Sequence, residues 1–437
     1  MRDVIRQKIL DGIHAEIPSL TPRDVHLPQV AGKAIAVVGM RRVGKTTFLW
    51  QVLSERLRAG FARDALLFFS FEDERLIEMQ TADLQMLVEE YYLLYPQKRD
   101  RERVVFFLDE IQIVSGWETF VRRLMDTEKV EVFLSGSSAR LLSREVATSM
   151  RGRAMEVCLY PFSFREYLRH HGCEPKQSVT RLPKGERSLL QNRLEAYLQE
   201  GGFPEAQGVP PRDRAQLLRG YVDLVLLRDV IERYDVSHPV ALRWMVRSLL
   251  ANPAGMFSVN KMYNDLRSQG IAVGKDRVYA YLSYLEDAFL VRIIPVAAAS
   301  ERQKMVNPRK VYPVDPALIP LYDRSGRANI GHALETCVLL ELVRRGAEVY
   351  YVRTPSGYEV DFLARYWDGR EELVQVCADL TDTQTAEREV RALVEASQLY
   401  PHAQPLLITL YPAAHTLPDG VTVQTALDWF LQGEDSA

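Results

Sequence analysis

The chain has 437 residues, 47% of them hydrophobic and 26% charged, with a formal net charge of −3. That ordinary globular composition predicts several domains with buried cores, and it excludes a globally basic nucleic-acid coat protein, so contact with DNA has to come from a local basic surface. No apolar run approaches the ~18 residues of a membrane span, Met1-Arg2-Asp3-Val4 lacks the apolar stretch of a secretory leader, and Cys158, Cys173, Cys337 and Cys377 form no C-x-x-C pair; a cytoplasmic protein with reduced thiols is expected.

Residues 1–33 read as an amphipathic helix, with Val4, Ile5, Ile9, Leu10 and Ile13 on one face, and a Pro-punctuated lead-in. An ATPase core is expected over 34–170. Its first apolar run, Ala34-Ile35-Ala36-Val37-Val38, enters Gly39-Met40-Arg41-Arg42-Val43-Gly44-Lys45-Thr46-Thr47 and opens directly into a helical pattern, which is the strand, phosphate loop and helix of a P-loop nucleotide site. Gly39 and Gly44 let backbone N–H groups wrap phosphates, with Arg42, Val43 and Thr47 completing the loop. Lys45 reaches the β- and γ-phosphates and the Thr46 hydroxyl ligates the metal, so ATP and Mg²⁺ are the expected cofactors.

A second buried strand is expected at 65–71, a helix at 81–95, and a third strand in Val104-Val105-Phe106-Phe107-Leu108 ending in Asp109-Glu110. Ligands of parallel α/β sheets sit at the carboxyl ends of strands, so Asp109 faces Mg²⁺ and Glu110 is the general base toward the attacking water. The strand Val130 to Leu134 breaks into Ser135-Gly136-Ser137-Ser138, where Ser135 or Ser137 can bond the lytic water or the γ-phosphate; a helix is expected from Ser138 to Ser143. Arg151-Gly152-Arg153, just before a strand at 155–160, can project a guanidinium toward a neighbouring subunit's γ-phosphate.

The ordered series formed by the phosphate loop, Leu-Asp-Glu-Ile-Gln with Gly116-Trp117-Glu118, Leu-Ser-Gly-Ser-Ser-Ala-Arg, Arg-Gly-Arg, Leu159-Tyr160-Pro161-Phe162-Ser163-Phe164-Arg165-Glu166 and Gly201-Gly202-Phe203-Pro204-Glu205 resembles a widespread prokaryotic family of AAA+-type ATPases. Members pair the ATPase with a C-terminal domain of unknown function. The resemblance implies that Ser135 takes the sensor-1 position, that Arg151 and Arg153 are the arginine-finger candidates without settling which of them acts, and that the protein forms a homo-oligomeric ring, such as a hexamer, or a partial ring.

A helical lid is expected over 171–252, with helices at 186–200 and 212–234 flanking the Gly-Gly-Phe-Pro turn; Arg228 and Arg233 either reach the phosphates or join i,i+4 pairs such as Asp229 with Arg233. Residues 253–328 read as a winged helix-turn-helix. Ser258 caps a helix whose Val259, Met262, Tyr263 and Leu266 form one face, Gly270 closes it, and a second helix from Lys275 turns Val278, Leu282, Leu285 and Phe289 inward. Lys275, Arg277, Tyr279 and Ser283 then lie on its outer side, with Arg302, Lys304, Arg309 and Lys310 on the wing, so that the helix would enter a DNA major groove and the wing would meet phosphates. The alternative is a module that only stacks subunits or docks the lid.

In 329–437, Glu335, then Glu359-Val360-Asp361, then Leu373-Val374-Gln375-Val376-Cys377 resemble the PD-(D/E)XK arrangement of restriction nucleases, in which two acids and an E-x-K motif hold Mg²⁺ and the Lys faces the scissile phosphate. Here Gln375 and Cys377 replace the Glu and Lys, and no lysine follows Lys310 to take the cation's place; only observed DNA cleavage would point to an arginine such as Arg365 or Arg388 as the substitute cation. The expected fold class is α/β: an AAA+-type P-loop core with a helical lid, a winged helix-turn-helix, and a C-terminal nuclease-like α/β domain whose activity is lost. The leading functional expectation is a Mg²⁺-dependent ATPase that holds or moves duplex or branched DNA. Its rival is a nucleotide-switched signalling or assembly protein that binds protein partners, and an active ATP-dependent nuclease is disfavoured by Cys377.

Overall fold

The structure, a computed structural model, describes residues 1–136, 150–298, 300, 308–323, 329–412 and 420–432. It divides into two compact units, Met1–Tyr160 and Pro161–Ala437.

In the first unit the apolar runs become β1 (Ala34–Val38), β2 (Leu66–Ser70), β3 (Val104–Asp109), β4 (Val130–Gly136) and β5 (Ala154–Cys158). They form a parallel sheet in the order β2-β3-β4-β1-β5. Every residue of β1 and β3 is buried, as strands covered on both faces require. This order sets β3, β4 and β1 side by side, so their carboxyl ends open onto one edge. The helix Arg2–His14 buries Ile5, Ile9 and Ile13 against the sheet and the helix Leu84–Leu94. Gly12 permits that approach, because a Cβ there would stand 1.9 Å from the carbonyl oxygen of Phe68.

The second unit begins earlier than the expected end of the ATPase core at 170. Phe162, Phe164 and Tyr167 pack with Leu190, Leu194 and Tyr197 of the helix Lys184–Glu200, with Tyr312, and with Leu334 and Cys337 of the helix Ile330–Arg344 in one core. Ser163 and Glu166 close a reciprocal capping box at the start of the helix Phe164–His170. The helix Pro211–Leu224 continues through a π-helical turn, Val225–Ile231. Next come the helix Pro239–Ala251, β6 (Met256–Phe257), the helices Val259–Ser268 and Lys275–Asp287, β7 (Val291–Ile294) and β8 (Arg309–Pro313). These strands pair antiparallel in the order β6-β8-β7. Ser258 stands at the N-cap position as expected, but its hydroxyl makes no capping bond.

The remaining strands, β9 (Glu348–Arg353), β10 (Glu359–Arg365), β11 (Glu371–Cys377), β12 (Gln404–Thr409) and β13 (Thr422–Thr425), form a sheet in the order β13-β12-β11-β10-β9. It is antiparallel from β9 to β11 and parallel from β11 to β13. Alternate side chains separate its faces: Phe362, Val374 and Ile408 join the core with the helix Ile330–Arg344, while Leu363, Leu373 and Leu407 pack on the helix Thr383–Leu399. The chain leaving β7 runs onto the outer edge of β9, where Ala297 N–H donates to the Tyr351 carbonyl at 2.8 Å and Tyr351 N–H to that of Pro295 at 3.1 Å.

Candidate functional site

At the open edge of the first sheet, the chain leaves β1 through Gly39 (φ +149°), Arg42 (φ +69°) and Gly44 (φ +96°). A Cβ on Gly39 would stand 2.2 Å from the Leu159 carbonyl oxygen, so only glycine fits this turn. The loop closes around Lys45, whose buried ammonium donates to the carbonyls of Gly39 at 3.1 Å and Met40 at 3.0 Å. Thr46 and Thr47 lie on the exposed first turn of the helix Lys45–Arg58, which offers its N–H groups to an anion. The Thr46 hydroxyl lies 3.2 and 3.1 Å from the two carboxylate oxygens of Asp109. A hydroxyl and a carboxylate converging at the mouth of a phosphate loop are a donor set suited to Mg²⁺, and the residues present fit ATP with that ion. Burial pushes the Asp109 carboxyl up to about 6, against the hydrogen bonds from Ser135 and Thr46.

Ser135 stands at the carboxyl end of β4, beside Asp109. It is fully buried, its hydroxyl donates to Asp109 Oδ1, and its oxygen accepts the Glu110 N–H at 3.1 Å. Its geometry therefore fixes the Asp109–Glu110 turn, in which Glu110 adopts a left-handed conformation (φ +56°). Gln112 donates its amide to Glu110 Oε2. Ser137 and the helix expected at 138–143 lie outside the described residues. Arg151 and Arg153 line a cavity of about 400 Å³ together with Arg122 and Arg123, and Arg153 is ion-paired with Asp126.

In the second unit, Lys275, Arg277, Tyr279 and Ser283 are exposed on the helix Lys275–Asp287, while Val278, Tyr281, Leu282 and Leu285 are buried. Arg302 and Lys304 lie outside the described residues. Arg309 is half-buried at the start of β8. Lys310 is not on a solvent-facing wing. It is 3% exposed, and its ammonium lies 3.0 Å from Glu335 Oε1, 3.0 Å from Asp361 Oδ1 and 2.7 Å from Glu359 Oε1. The strand period puts Lys310 and Tyr312 on one face, and the Tyr312 hydroxyl donates to Glu335 at 2.7 Å. Glu335, Glu359 and Asp361 thus share a buried cation that comes from upstream of residue 329. Arg365 and Arg388 pair instead with Glu371 and Glu389. Gln375 accepts the Asp361 N–H at 3.1 Å and donates to Glu389 at 2.6 Å. The Cys377 thiol donates to the Asp379 carbonyl and is pushed up to about 11, by burial first and then by the charges of Glu389 and Asp361.

Residues 31–168 match the AAA domain family, and residues 191–324 match a domain of unknown function. Over 400 residues the chain is 32% identical to the uncharacterized protein MJ1544 of Methanocaldococcus jannaschii, covering 90% of this chain and 85% of that one. The chain belongs to the family of that protein. An uncharacterized protein of Haemophilus influenzae is 29% identical over 91% of this chain and 94% of its own. Among solved structures, the Walker-type ATPase PABY2304 of Pyrococcus abyssi aligns over 74% of this chain and 95% of its own at 15% identity and a TM-score of 0.42. The Aeropyrum pernix ORC1 protein in complex with DNA aligns over 74% and 90% at 15% identity and a TM-score of 0.29. Both likenesses are too loose to carry an argument.

In this member of the family, Gly39 to Thr47, Asp109, Glu110, Ser135, Arg151 and Arg153 all fall within the AAA domain. Two of its positioning residues escape sequence reasoning. Arg23, in the Pro-punctuated lead-in, is buried and donates to the Val43 carbonyl at 2.9 Å and to that of Tyr160 at 2.5 Å, bracing the phosphate loop against the exit of β5. Gln112 was readable only as part of a motif. For Lys310 the signal was its alternation with Tyr312 inside an apolar strand, Lys310-Val311-Tyr312-Pro313-Val314. No described helix is long and apolar enough to cross a membrane.

Proposed function

We propose that this chain is an oligomeric, Mg²⁺-dependent ATPase that couples hydrolysis to holding, remodelling or moving DNA. The observation that carries the hydrolase reading is the convergence of Thr46, Asp109, Ser135 and Glu110 at the carboxyl edge of β3, β4 and β1. Bound there, Mg²⁺ would neutralise charge on the transferred phosphoryl group. Thr46 and Asp109 hold the ion, Lys45 and the loop N–H groups hold the phosphates, and Glu110 takes the proton of the attacking water. Ser135 keeps Asp109 and Glu110 in register, and Arg151 or Arg153 completes a neighbouring subunit's site.

The DNA reading is supported by chain order in the second unit: helix, short strand, two helices and two strands, with the sheet order β6-β8-β7, from which a winged helix is built. The exposed Lys275, Arg277, Tyr279 and Ser283 give its second helix a polar, basic outer face. One observation favours the rival, a nucleotide-switched assembly protein: burial of Lys310 takes one cation from the expected wing. ATP hydrolysis measured with and without duplex or branched DNA separates the two. Stimulation that weakens when Lys275 and Arg277 are both replaced by Ala supports the DNA reading, and indifference to every DNA tested favours the rival.

A further inference from the structure

The ammonium of Lys310 stands among Glu335, Glu359 and Asp361 at 3.0, 2.7 and 3.0 Å. Carboxylate oxygens gathered around one point are how proteins hold hard divalent cations, and here the chain has placed its own cation at that point. The neighbouring groups are committed as well. Glu335 Oε1 also accepts from Tyr312, Asp361 Oδ2 accepts the Val376 N–H at 3.0 Å, and Gln375 spends both ends of its amide, on Asp361 N–H and on Glu389. Burial alone would lower the Lys310 ammonium, and Asp361, Tyr312, Glu335 and Glu359 outweigh it and hold the charge in place. Among the described residues, no group of three or more His, Cys, Asp and Glu side chains is arranged to hold a metal ion.

We propose that Lys310 is a resident, intramolecular counter-ion occupying the position that Mg²⁺ or Mn²⁺ would take among Glu335, Glu359 and Asp361, so that this site is closed to metal and does not hydrolyse phosphodiesters. The reason is electrostatic. A divalent ion entering beside the ammonium meets strong repulsion at short range, and expelling the ammonium would strand a buried charge. The inference stands whether or not the first unit hydrolyses ATP.

The full-length protein crystallised and soaked in Mn²⁺ tests it directly by anomalous scattering. No peak between Glu335 and Asp361 is expected, and a peak there with Lys310 displaced overturns the proposal. In solution, Lys310→Ala in an Asp109→Asn background, which removes the carboxylate of the nucleotide site, should gain one Mn²⁺ site by electron paramagnetic resonance. Its affinity should exceed that of the Lys310 parent by about a hundredfold, and adding Asp361→Asn should abolish it. Lys310→Gln serves if the alanine variant does not fold. A folded variant of either kind that gains no site overturns the proposal. So would cleavage of linear, branched or single-stranded DNA by the unsubstituted protein with Mg²⁺ or Mn²⁺, if that cleavage is lost in Asp361→Ala.

Discussion

Lys45 and Glu110 sit at the same sheet edge, yet their substitution should separate binding from chemistry. Lys45→Ala removes the ammonium around which the phosphate loop closes and should weaken ATP binding. Glu110→Gln keeps the side chain's shape and its contact with Gln112, so ATP should still bind while turnover falls by roughly 10²- to 10⁴-fold. Nucleotide-binding titrations beside steady-state hydrolysis read the difference, and equal loss of binding in both would make Glu110 structural. Arg23→Ala tests the brace: the buried carbonyls of Val43 and Tyr160 lose the guanidinium that bridges them, at a cost of about 1–3 kcal/mol in unfolding experiments. The phosphate loop was legible because its residues are contiguous and each has a local reason to be there. Arg23 and Lys310 were not, because one reaches a carbonyl 137 positions away and the other an acid 51 positions away, and no local periodicity encodes such a partner.

The helix Arg2–His14 makes a prediction whose sign is informative. In an isolated helix Gly→Ala stabilises by about 0.5–1 kcal/mol, but at Gly12 the new methyl would meet the Phe68 carbonyl at 1.9 Å. Gly12→Ala should therefore destabilise by about 1–3 kcal/mol, as other overpacking does, and stabilisation in a denaturant titration would show that the helix is not seated on β2. A second element, the Gly201-Gly202 turn, is held by Asp315, which accepts the N–H groups of Gly202 at 2.7 Å and Ala317 at 2.9 Å. Burial pushes the Asp315 carboxyl up to about 7 from 3.8, against those two bonds and the charge of Arg344. Between those values the folded state keeps a proton that the unfolded chain has lost. Asp315 therefore makes stability fall as pH rises from about 4 to about 7, by at most about 1.4 kcal/mol per pH unit. Thermal unfolding of Asp315→Asn should show a flatter profile over that window. Gly-Gly-Phe-Pro read as a turn from sequence; its anchor lies 113 positions further along the chain and was not legible.

At the scale of the whole molecule, the arginine-lined cavity beside Arg151 and Arg153 bears on assembly. If either arginine completes a neighbour's site, Arg151→Ala or Arg153→Ala subunits should bind ATP normally and hydrolyse it poorly. Mixing them with Lys45→Ala subunits should restore part of the activity, because an intact site forms at mixed junctions. A hydrolysis rate per subunit that stays unchanged in a strictly monomeric sample would exclude the shared site. The sequence boundary at 329 did not reveal that the elements on either side share one core.

The strap from β7 onto β9 and the reach of Lys310 from β8 both cross the boundary at 329. A fragment cut at that position would carry Glu335, Glu359 and Asp361 without their lysine and would bare the backbone of an edge strand, a template for pairing with other copies. Dissection of this protein along its apparent sequence domains should therefore yield an aggregating C-terminal piece, whereas one that begins at Pro161 keeps the strap, the lysine and the core together.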